Sequence, residues 1–369
     1  MISFSLASLV VSFMRTTASI VVLCVLAPLL AISALAWGSD AQSPTGRLIT
    51  SAAIVSNPES QKVYAVNEGA QSVSVVDVKT GAKVIVPVGD GPIALAVNRR
   101  TNRIYVVNEQ SASVSVIDGK MDKVIATVPV DQTPYTLAVN EVTNKVYVTH
   151  TYSDSLTVID GSTNLSSSIK TGSADGVAVD TRTNKIFLMG YENPQIRIVD
   201  GDSGTITNVM VGPHIWGMLF DDDTATLYLA HTGDGEIVVL DEKTLSVNTI
   251  PVGKIPCSVA INPKTKRLYV VNYGDETLSV VDLNHKREIA ALPMGKRPQN
   301  VAVDVTRNRV FVADVHGNDI TVIDDSGNAV IGKVEAGSHP YAIAIDPRSG
   351  KAFVANYEAP WITAAAVEK

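Results

Sequence analysis

The feature that most constrains the fold of this sequence is a segment that occurs eight times along the chain. Each copy runs from a basic residue, or once a threonine, into an aromatic residue two positions later, and neighbouring copies start 40 to 42 residues apart. The copies begin at Lys62, Arg103, Lys145, Lys185, Thr226, Arg267, Arg309 and Lys351. Self-similarity at this period is typical of β-propeller blades.

Each repeat is predicted to contain four short strands, A to D from the hub to the rim. In the second repeat they are 93–97, 103–108, 113–117 and 123–128, where β-branched residues alternate between turns rich in Asn, Asp, Gly and Pro. We therefore predict an all-β protein with eight four-stranded blades. A seven-bladed ring, with the first or last repeat outside it, is the alternative.

Two columns of polar residues recur at the predicted turns. An Asn or Asp stands five residues before each repeat start, and strand C ends in Asp in seven repeats. Such side chains accept hydrogen bonds from turn N–H groups, so both columns are predicted to be architectural. The eighth repeat has Ala366 instead of that Asp. We expect Ser43–Ile49 to supply its missing D strand and so to close the ring.

The first residues are typical of an export signal. Residues 18–35 are almost wholly apolar, follow Arg15 and end in an Ala34-Leu35-Ala36 cleavage pattern. We predict a signal peptide over 1–36, with a second possible cut after Ala41, and a single propeller domain over 43–369. The protein is then expected in the periplasm, outside the cell or on its surface. An uncleaved anchor helix is the alternative; a cleaved chain would have no membrane span.

Charge and cysteine content narrow the possible partners and stabilising devices. The net charge is −7, which disfavours nucleic acid as a partner. After removal of the signal only Cys257 of the two cysteines is left, so no intrachain disulfide can form. We expect a monomer stabilised by sheet packing.

The repeats resemble those of the YVTN family. Residues 147–150 read Tyr-Val-Thr-His, residues 105–108 and 269–272 read Tyr-Val-Val-Asn, and 113–118 read Ser-Val-Ser-Val-Ile-Asp. The resemblance implies a propeller of the surface-layer and quinoprotein-dehydrogenase-like group. That group includes surface-layer parts, periplasmic binding propellers and lactonase-like relatives, so the resemblance implies a fold and leaves function to the site.

The loops at one end of the predicted ring are the candidate site. Strand directions place the D–A and B–C loops together, and five of the six histidines fall there. His150, His231 and Asp314 interrupt a column of Asn at the end of strand B, and aromatic residues occur at the entrance to strand A. The predicted ligand-binding residues at this central mouth are Tyr135, His150, His214, Trp216, His231, Asp314 and Tyr341.

The chemistry of this mouth is predicted to be binding without catalysis. No nucleophile elbow, phosphate loop or haem-attachment motif occurs in the sequence. We predict no cofactor; a divalent metal at His150, His214 or His231 is the weaker alternative, because no pair has a tight ligand spacing. The expected function is an exported binding or scaffold propeller for a small molecule, polymer or protein at its mouth or rim. The alternative is a lactonase-like hydrolase or lyase at the same mouth.

Overall fold

The chain folds as an eight-bladed β-propeller. The computed structural model describes residues 53–358 and 361–365. Seven antiparallel sheets of four strands and one of three strands follow one another along the sequence, one sheet per repeat. This confirms eight blades and excludes seven.

The strands occupy the same four positions in every blade. The A strands are β1 (Ile54–Asn57), β5 (Pro92–Asn98), β9 (Pro134–Asn140), β13 (Gly176–Asp180), β17 (Ile215–Asp221), β21 (Pro256–Asn262), β25 (Pro298–Asp304) and β29 (Pro340–Ile345). The B strands are β2 (Lys62–Asn67), β6 (Arg103–Asn108), β10 (Lys145–His150), β14 (Lys185–Met189), β18 (Thr226–His231), β22 (Arg267–Asn272), β26 (Arg309–Asp314) and β30 (Ala352–Asn356). The C strands are β3 (Ser72–Asp77), β7 (Ser113–Asp118), β11 (Ser155–Asp160), β15 (Gln195–Asp200), β19 (Glu236–Asp241), β23 (Thr277–Asp282), β27 (Asp319–Asp324) and β31 (Ile362–Ala365). The D strands are β4 (Lys83–Pro87), β8 (Lys123–Pro129), β12 (Ser166–Lys170), β16 (Ile206–Met210), β20 (Val247–Pro251), β24 (Arg287–Pro293) and β28 (Ala329–Glu335). One 3₁₀ turn, Glu68–Ala70, joins β2 to β3.

The hydrophobic core lies between neighbouring blades, because each sheet buries side chains on both faces. Phe187 of blade 4, for example, packs in one cluster with Leu227 and Leu229 of blade 5. The aromatic residue that marks each repeat is buried in every blade. Close packing of these side chains between neighbouring sheets explains how the blades hold together as a ring without a disulfide.

The ring closes between blade 8 and blade 1. Strand β1 packs against β29. The Lys351 ammonium donates to the carbonyl of Val78 at 3.3 Å, and the Lys83 ammonium donates to that of Ile362 at 3.4 Å. The predicted closing strand, Ser43–Ile49, and the predicted signal peptide lie outside the described residues. Within the described ranges no helix has the length and apolarity needed to cross a membrane.

Both polar columns hold turns, as the sequence predicts. In the C–D turn of blade 1, Asp77 accepts hydrogen bonds from the backbone N–H groups of Lys79 and Thr80 at 3.0 and 2.7 Å. In the A–B turn of blade 3, Asn140 accepts one from Val142 at 2.9 Å. Its amide also donates to the Asn184 side chain of blade 4 at 2.9 Å. The A–B column therefore links blades as well as folding its own turns.

Candidate functional site

The D–A and B–C loops of all blades lie at one end of the propeller, here called the upper face. Antiparallel connection of four strands alternates the turns between the two ends, so A–B and C–D turns lie at the other end, the lower face. All seven predicted site residues belong to loops or strand ends of the upper face. They are nevertheless placed in three different environments.

His150 and Asp314 are hydrogen-bonded inside their blades. Where the B strand ends in Asn, as at Asn67, the side chain bonds the hydroxyl of the residue seven positions later. His150 does the same, since its Nε2 lies 2.9 Å from the Thr157 hydroxyl and its Nδ1 lies 3.0 Å from the carbonyl of Gln132. The side chains of His150 and Asp314 are both fully buried. The structure thus gives His150 an architectural contact, and burial lowers its pKa so that the ring is neutral at pH 7.

Asp314 makes the same contact with a carboxylate. The Thr321 hydroxyl donates to its Oδ2, and the backbone N–H of Gly295 donates to its Oδ1 at 3.1 Å. Burial raises the pKa of Asp314 to about 7, and the neighbouring Asp319 carboxylate adds to the increase. An ionised Asp314 is therefore less favourable in this buried position than the Asn of other blades.

The entrance column of strand A coincides with a β-bulge. In six blades the A–B register shifts at this position, which carries Ile93, Tyr135, Trp216, Cys257, Gln299 and Tyr341. A bulge re-aims the side chain of the extra residue, and bulges are common beside binding sites. Tyr135 and Tyr341 are buried, whereas Trp216 is half-buried. Burial raises the pKa of Cys257 to about 12, so its thiol is not ionised at pH 7.

Trp216 is the centre of a row of aromatic rings that spans blades 4 to 6. Its ring centroid lies 6.5 Å from that of Tyr191, in an edge-to-face arrangement, and 6.4 Å from that of Tyr273. Tyr191 is also 5.2 Å from the His214 ring. The guanidinium of Arg297 lies 4.8 Å over the Tyr273 ring, a cation–π distance. We call these five residues the aromatic arc.

The row of rings resumes on blades 7 and 8. The His316 and His339 rings meet edge to face at 5.9 Å, and Tyr341 stacks on Tyr357 at 4.3 Å. Burial, His339 and Arg297 lower the pKa of His316, so this imidazole is neutral at pH 7. Rings therefore line the upper face from blade 4 to blade 8.

Charge is distributed unevenly around the upper face. In the described residues, the lysines and arginines of its loops are Lys254, Lys296 and Arg297, all between blades 5 and 7. Carboxylates occur on both sides of the mouth: Asp90 and Asp131 lie in the loops of the first three blades, and Asp275 and Glu276 lie beside the cations. Lys254 pairs with Asp275 at 3.7 Å, and the backbone N–H of Arg297 donates to Glu276 at 3.3 Å. The aromatic arc thus ends beside the lysines and the arginine of these loops.

Several of these residues were not among those predicted. Tyr191, Tyr273 and Tyr357 each stand six residues after the start of their repeat, just past strand B, in blades 4, 6 and 8. Arg297 and His339 occupy the left-handed position two residues before the bulge, with φ of 55° and 51°. Comparing these two neighbouring columns across repeats would have found them.

The lower face contains a cavity of about 350 Å³ at the hub. Its walls include Val97, Val303 and Ile345, which stand at equivalent positions of strand A. These aliphatic residues occupy the same position in each repeat. We therefore interpret the cavity as the lower opening of the central channel and not as a site built from residues that depart from the repeat.

Comparison with known proteins identifies the architecture only. No protein-family model and no curated protein sequence matches this chain. A structure of Kuenenia stuttgartiensis hydrazine synthase matches with a TM-score of 0.62 and 20% identity, over 78% of this chain and 98% of that one. A structure of dihydro-heme d1 dehydrogenase NirN in complex with DHE matches with a TM-score of 0.71 and 14% identity, over 82% of this chain and 70% of that one. Both are propeller proteins, and at these identities the likeness shows the fold alone.

The upper face is suited to binding a flat molecule with a negative charge. Tyr191 and Trp216 are half-buried and offer ring surface for stacking, whereas Tyr273 is buried beneath Arg297. Lys296 and Arg297 supply positive charge beside these rings, and Lys254 is paired with Asp275. Two hydroxyl–imidazole pairs occur at this face: His150 with Thr157, which is buried, and Ser338 with His339 Nδ1 at 3.0 Å, which is half-buried. The Ser338 hydroxyl also lies 3.0 Å from Oε2 of Glu358.

Proposed function

We propose that this protein is an exported binding propeller of the YVTN-repeat type whose upper face binds a planar organic anion without transforming it. The observation that carries the proposal is the aromatic arc, in which Trp216 lies between two tyrosine rings and Arg297 covers the far ring. The apolar segment over residues 18–35 supports export.

The ligand class follows from the charge of the arc. Lys296 is exposed and Arg297 is half-buried, so an anionic group would pair with them without being fully desolvated. Lys254 is exposed as well and pairs with Asp275 at 3.7 Å.

The test uses 1-pyrenecarboxylate as a planar anion and uncharged 1-pyrenemethanol as its charge control. We expect the carboxylate to bind and to quench Trp216 fluorescence. Trp216→Ala should remove ~1–3 kcal/mol of stacking, which corresponds to a dissociation constant about 5- to 150-fold higher. Arg297→Met should weaken the binding of 1-pyrenecarboxylate and leave the binding of 1-pyrenemethanol unchanged. Binding is measured by fluorescence titration of the probe, so that it is still detected when Trp216 is absent.

Lys264→Met is the matched control, because Lys264 is a cation of the lower face. Its binding curve should equal that of the wild type. Equal affinities for the acid and the alcohol, or binding unaffected by both Trp216→Ala and Arg297→Met, would rule out the arc as the site.

A metal-dependent hydrolase of the lactonase-like type is the second candidate. It is favoured by one observation, the two carboxylates that lie beside His231 on the upper face. A screen of lactones and esters with and without Zn²⁺ is expected to be blank. Turnover that needs the metal and disappears in His231→Asn would favour the hydrolase over the binding protein.

A further inference from the structure

In blade 5 the residue at the end of strand B, His231, has no hydroxyl partner in strand C. In blade 6, Asn272 bonds the hydroxyl of Ser279, seven residues later, at 2.8 Å. In blade 3 the histidine at this position bonds Thr157. Seven residues after His231 stands Val238, which offers neither a donor nor an acceptor. His231 therefore lacks the architectural contact that explains His150.

The side chain of His231 faces two carboxylates instead. It is 5% exposed, and no described residue makes a hydrogen bond with its Nδ1. That atom lies 3.4 Å from Oδ2 of Asp234 and 3.5 Å from Oε1 of Glu236. The candidate ligand atoms of the three residues all lie within 4.8 Å of one another. A buried imidazole nitrogen without a hydrogen bond is thus aimed at two acids.

The backbone fixes this arrangement. His231 and Glu236 are direct partners across β18 and β19, and Asp234 stands in the tight turn between them. Gly235 in that turn has a φ of 66°, a left-handed conformation that favours glycine. The ring is confined from behind, because a Cβ at Gly212 would lie 3.2 Å from Nε2 of His231. The group is therefore preorganised on strands and not on a long loop.

The two carboxylates have no cationic side chain to neutralise them. In the described part of the chain, the ion pairs of Asp234 and Glu236 are with His231 alone. The equivalent acid in blade 7, Asp319, has the Lys333 ammonium at 3.4 Å. Blade 5 has Thr249 at the position of Lys333, opposite Val238. A bound cation would supply the missing positive charge.

The spacing of the ligand atoms indicates which cation fits. Distances of 3.4 and 3.5 Å are too long for good N–H···O hydrogen bonds. Ligands at about 2.1 Å around a tetrahedral Zn²⁺ are about 3.4 Å apart, which matches the observed separations. We propose that His231, Asp234 and Glu236 bind one divalent transition-metal ion of the Zn²⁺ class, with water completing its coordination. The site uses none of the five residues of the aromatic arc, although Thr232 of its turn donates to the carbonyl of His214 at 2.9 Å.

The experiment is a calorimetric titration of the EDTA-treated chain, without a polyhistidine tag, with ZnCl₂ and separately with CaCl₂ at pH 7.5. We expect one Zn²⁺ per chain and much weaker binding of Ca²⁺, since the imidazole favours the transition metal. His231→Asn should lower the Zn²⁺ affinity by about 100-fold or more and Glu236→Gln by about 10-fold or more.

His285→Ala is the matched control. His285 lies on the lower face with its Nδ1 2.7 Å from Oδ2 of Asp282. The substitution therefore removes a surface histidine that already has a hydrogen-bonded partner. Its Zn²⁺ affinity should equal that of the wild type. Zn²⁺ should also raise the melting temperature of the wild type and of His285→Ala but not of His231→Asn.

No Zn²⁺ binding by the wild type, equal affinities for Zn²⁺ and Ca²⁺, or unchanged binding in His231→Asn would overturn the metal site. The pyrenecarboxylate titration separates the two proposals. A chain that binds the probe but no Zn²⁺ would refute the metal site alone, and one that binds Zn²⁺ but no probe would refute the aromatic arc alone.

Discussion

At the scale of single residues, the end of strand B shows how one backbone position is used in different ways. Asn67, Asn108 and Asn272 bond serine hydroxyls in the neighbouring strand, and His150 and Asp314 make the equivalent bonds with other chemistry. In blade 4 the position holds Gly190, and Arg197, seven residues later, donates to the carbonyls of Thr171 and Ser173. The presence or absence of a hydroxyl seven residues later therefore distinguishes an architectural residue at this position from a candidate metal ligand.

Asp314→Asn is expected to stabilise the protein in a pH-dependent way. The folded-state pKa of Asp314 is about 7, above its ordinary value, so the folded chain keeps a proton that the unfolded chain has lost. Wild-type stability therefore falls as pH rises from the ordinary carboxyl range through 7. Asp314→Asn avoids this loss. Its free energy of unfolding should exceed that of the wild type by roughly 1–3 kcal/mol at pH 8 and by little at pH 4.

Urea denaturation at both pH values measures this difference. The converse substitution, Asn272→Asp, is its counterpart in blade 6 and should destabilise the protein at pH 8 more than at pH 4. A gain for Asp314→Asn that is the same at both pH values would show that the buried charge is not its cause.

At the scale of strands and turns, the A–B turns join each blade to the next. Asn57, Asn98 and Asn140 donate to the side chains of Asn102, Asn144 and Asn184, respectively, in the following blades. The accepting residues have φ between 51° and 56°, a left-handed conformation that Asn tolerates well. One column of turn residues therefore contributes both to the hairpin and to the packing of blades.

Two substitutions at Asn140 should separate these contributions. Asn140→Asp keeps the acceptor for its own turn but loses the N–H donor to Asn184, and should cost roughly 1 kcal/mol. Asn140→Ala loses both and should cost roughly 2–3 kcal/mol, since it also leaves buried groups without partners. The free energy of unfolding in urea is the measurement, and equal costs for the two variants would contradict a separate inter-blade role.

At the scale of the whole molecule, the ring has one seam, where the last repeat meets the first. Strands β29 and β1 pack together there, and Lys351 and Lys83 make hydrogen bonds across the same seam. In the described residues blade 8 has three strands, and its third, β31, pairs only with β30. An exposed strand edge promotes aggregation.

We therefore predict that Ser43–Ile49 covers this edge. Deletion of 43–49 should lower the melting temperature and increase aggregation in light scattering, because it would leave the edge of β31 unpaired. Deletion of 37–42 is the matched control and should leave both properties unchanged. Equal behaviour of the two deletions would exclude residues 43–49 as the closing strand.

The sequence by itself determined the number of blades, the strands and the turn chemistry. These features depend on contacts between near neighbours in the chain, such as Asp77 with Thr80, and they are repeated often enough for deviations to stand out. The prediction of an upper-face site used the same logic, and it included Trp216 but not the tyrosines on either side of it.

Only the tertiary structure decided which deviations belong together. His150 and His231 are the same residue at the same position, yet one bonds a threonine and the other faces two acids, because Thr157 and Val238 differ. The contact between Trp216 and Tyr273 joins different blades and depends on the β-bulge and on the curvature of the ring. Such contacts have no fixed spacing in the sequence, since they arise from the packing of one sheet on the next.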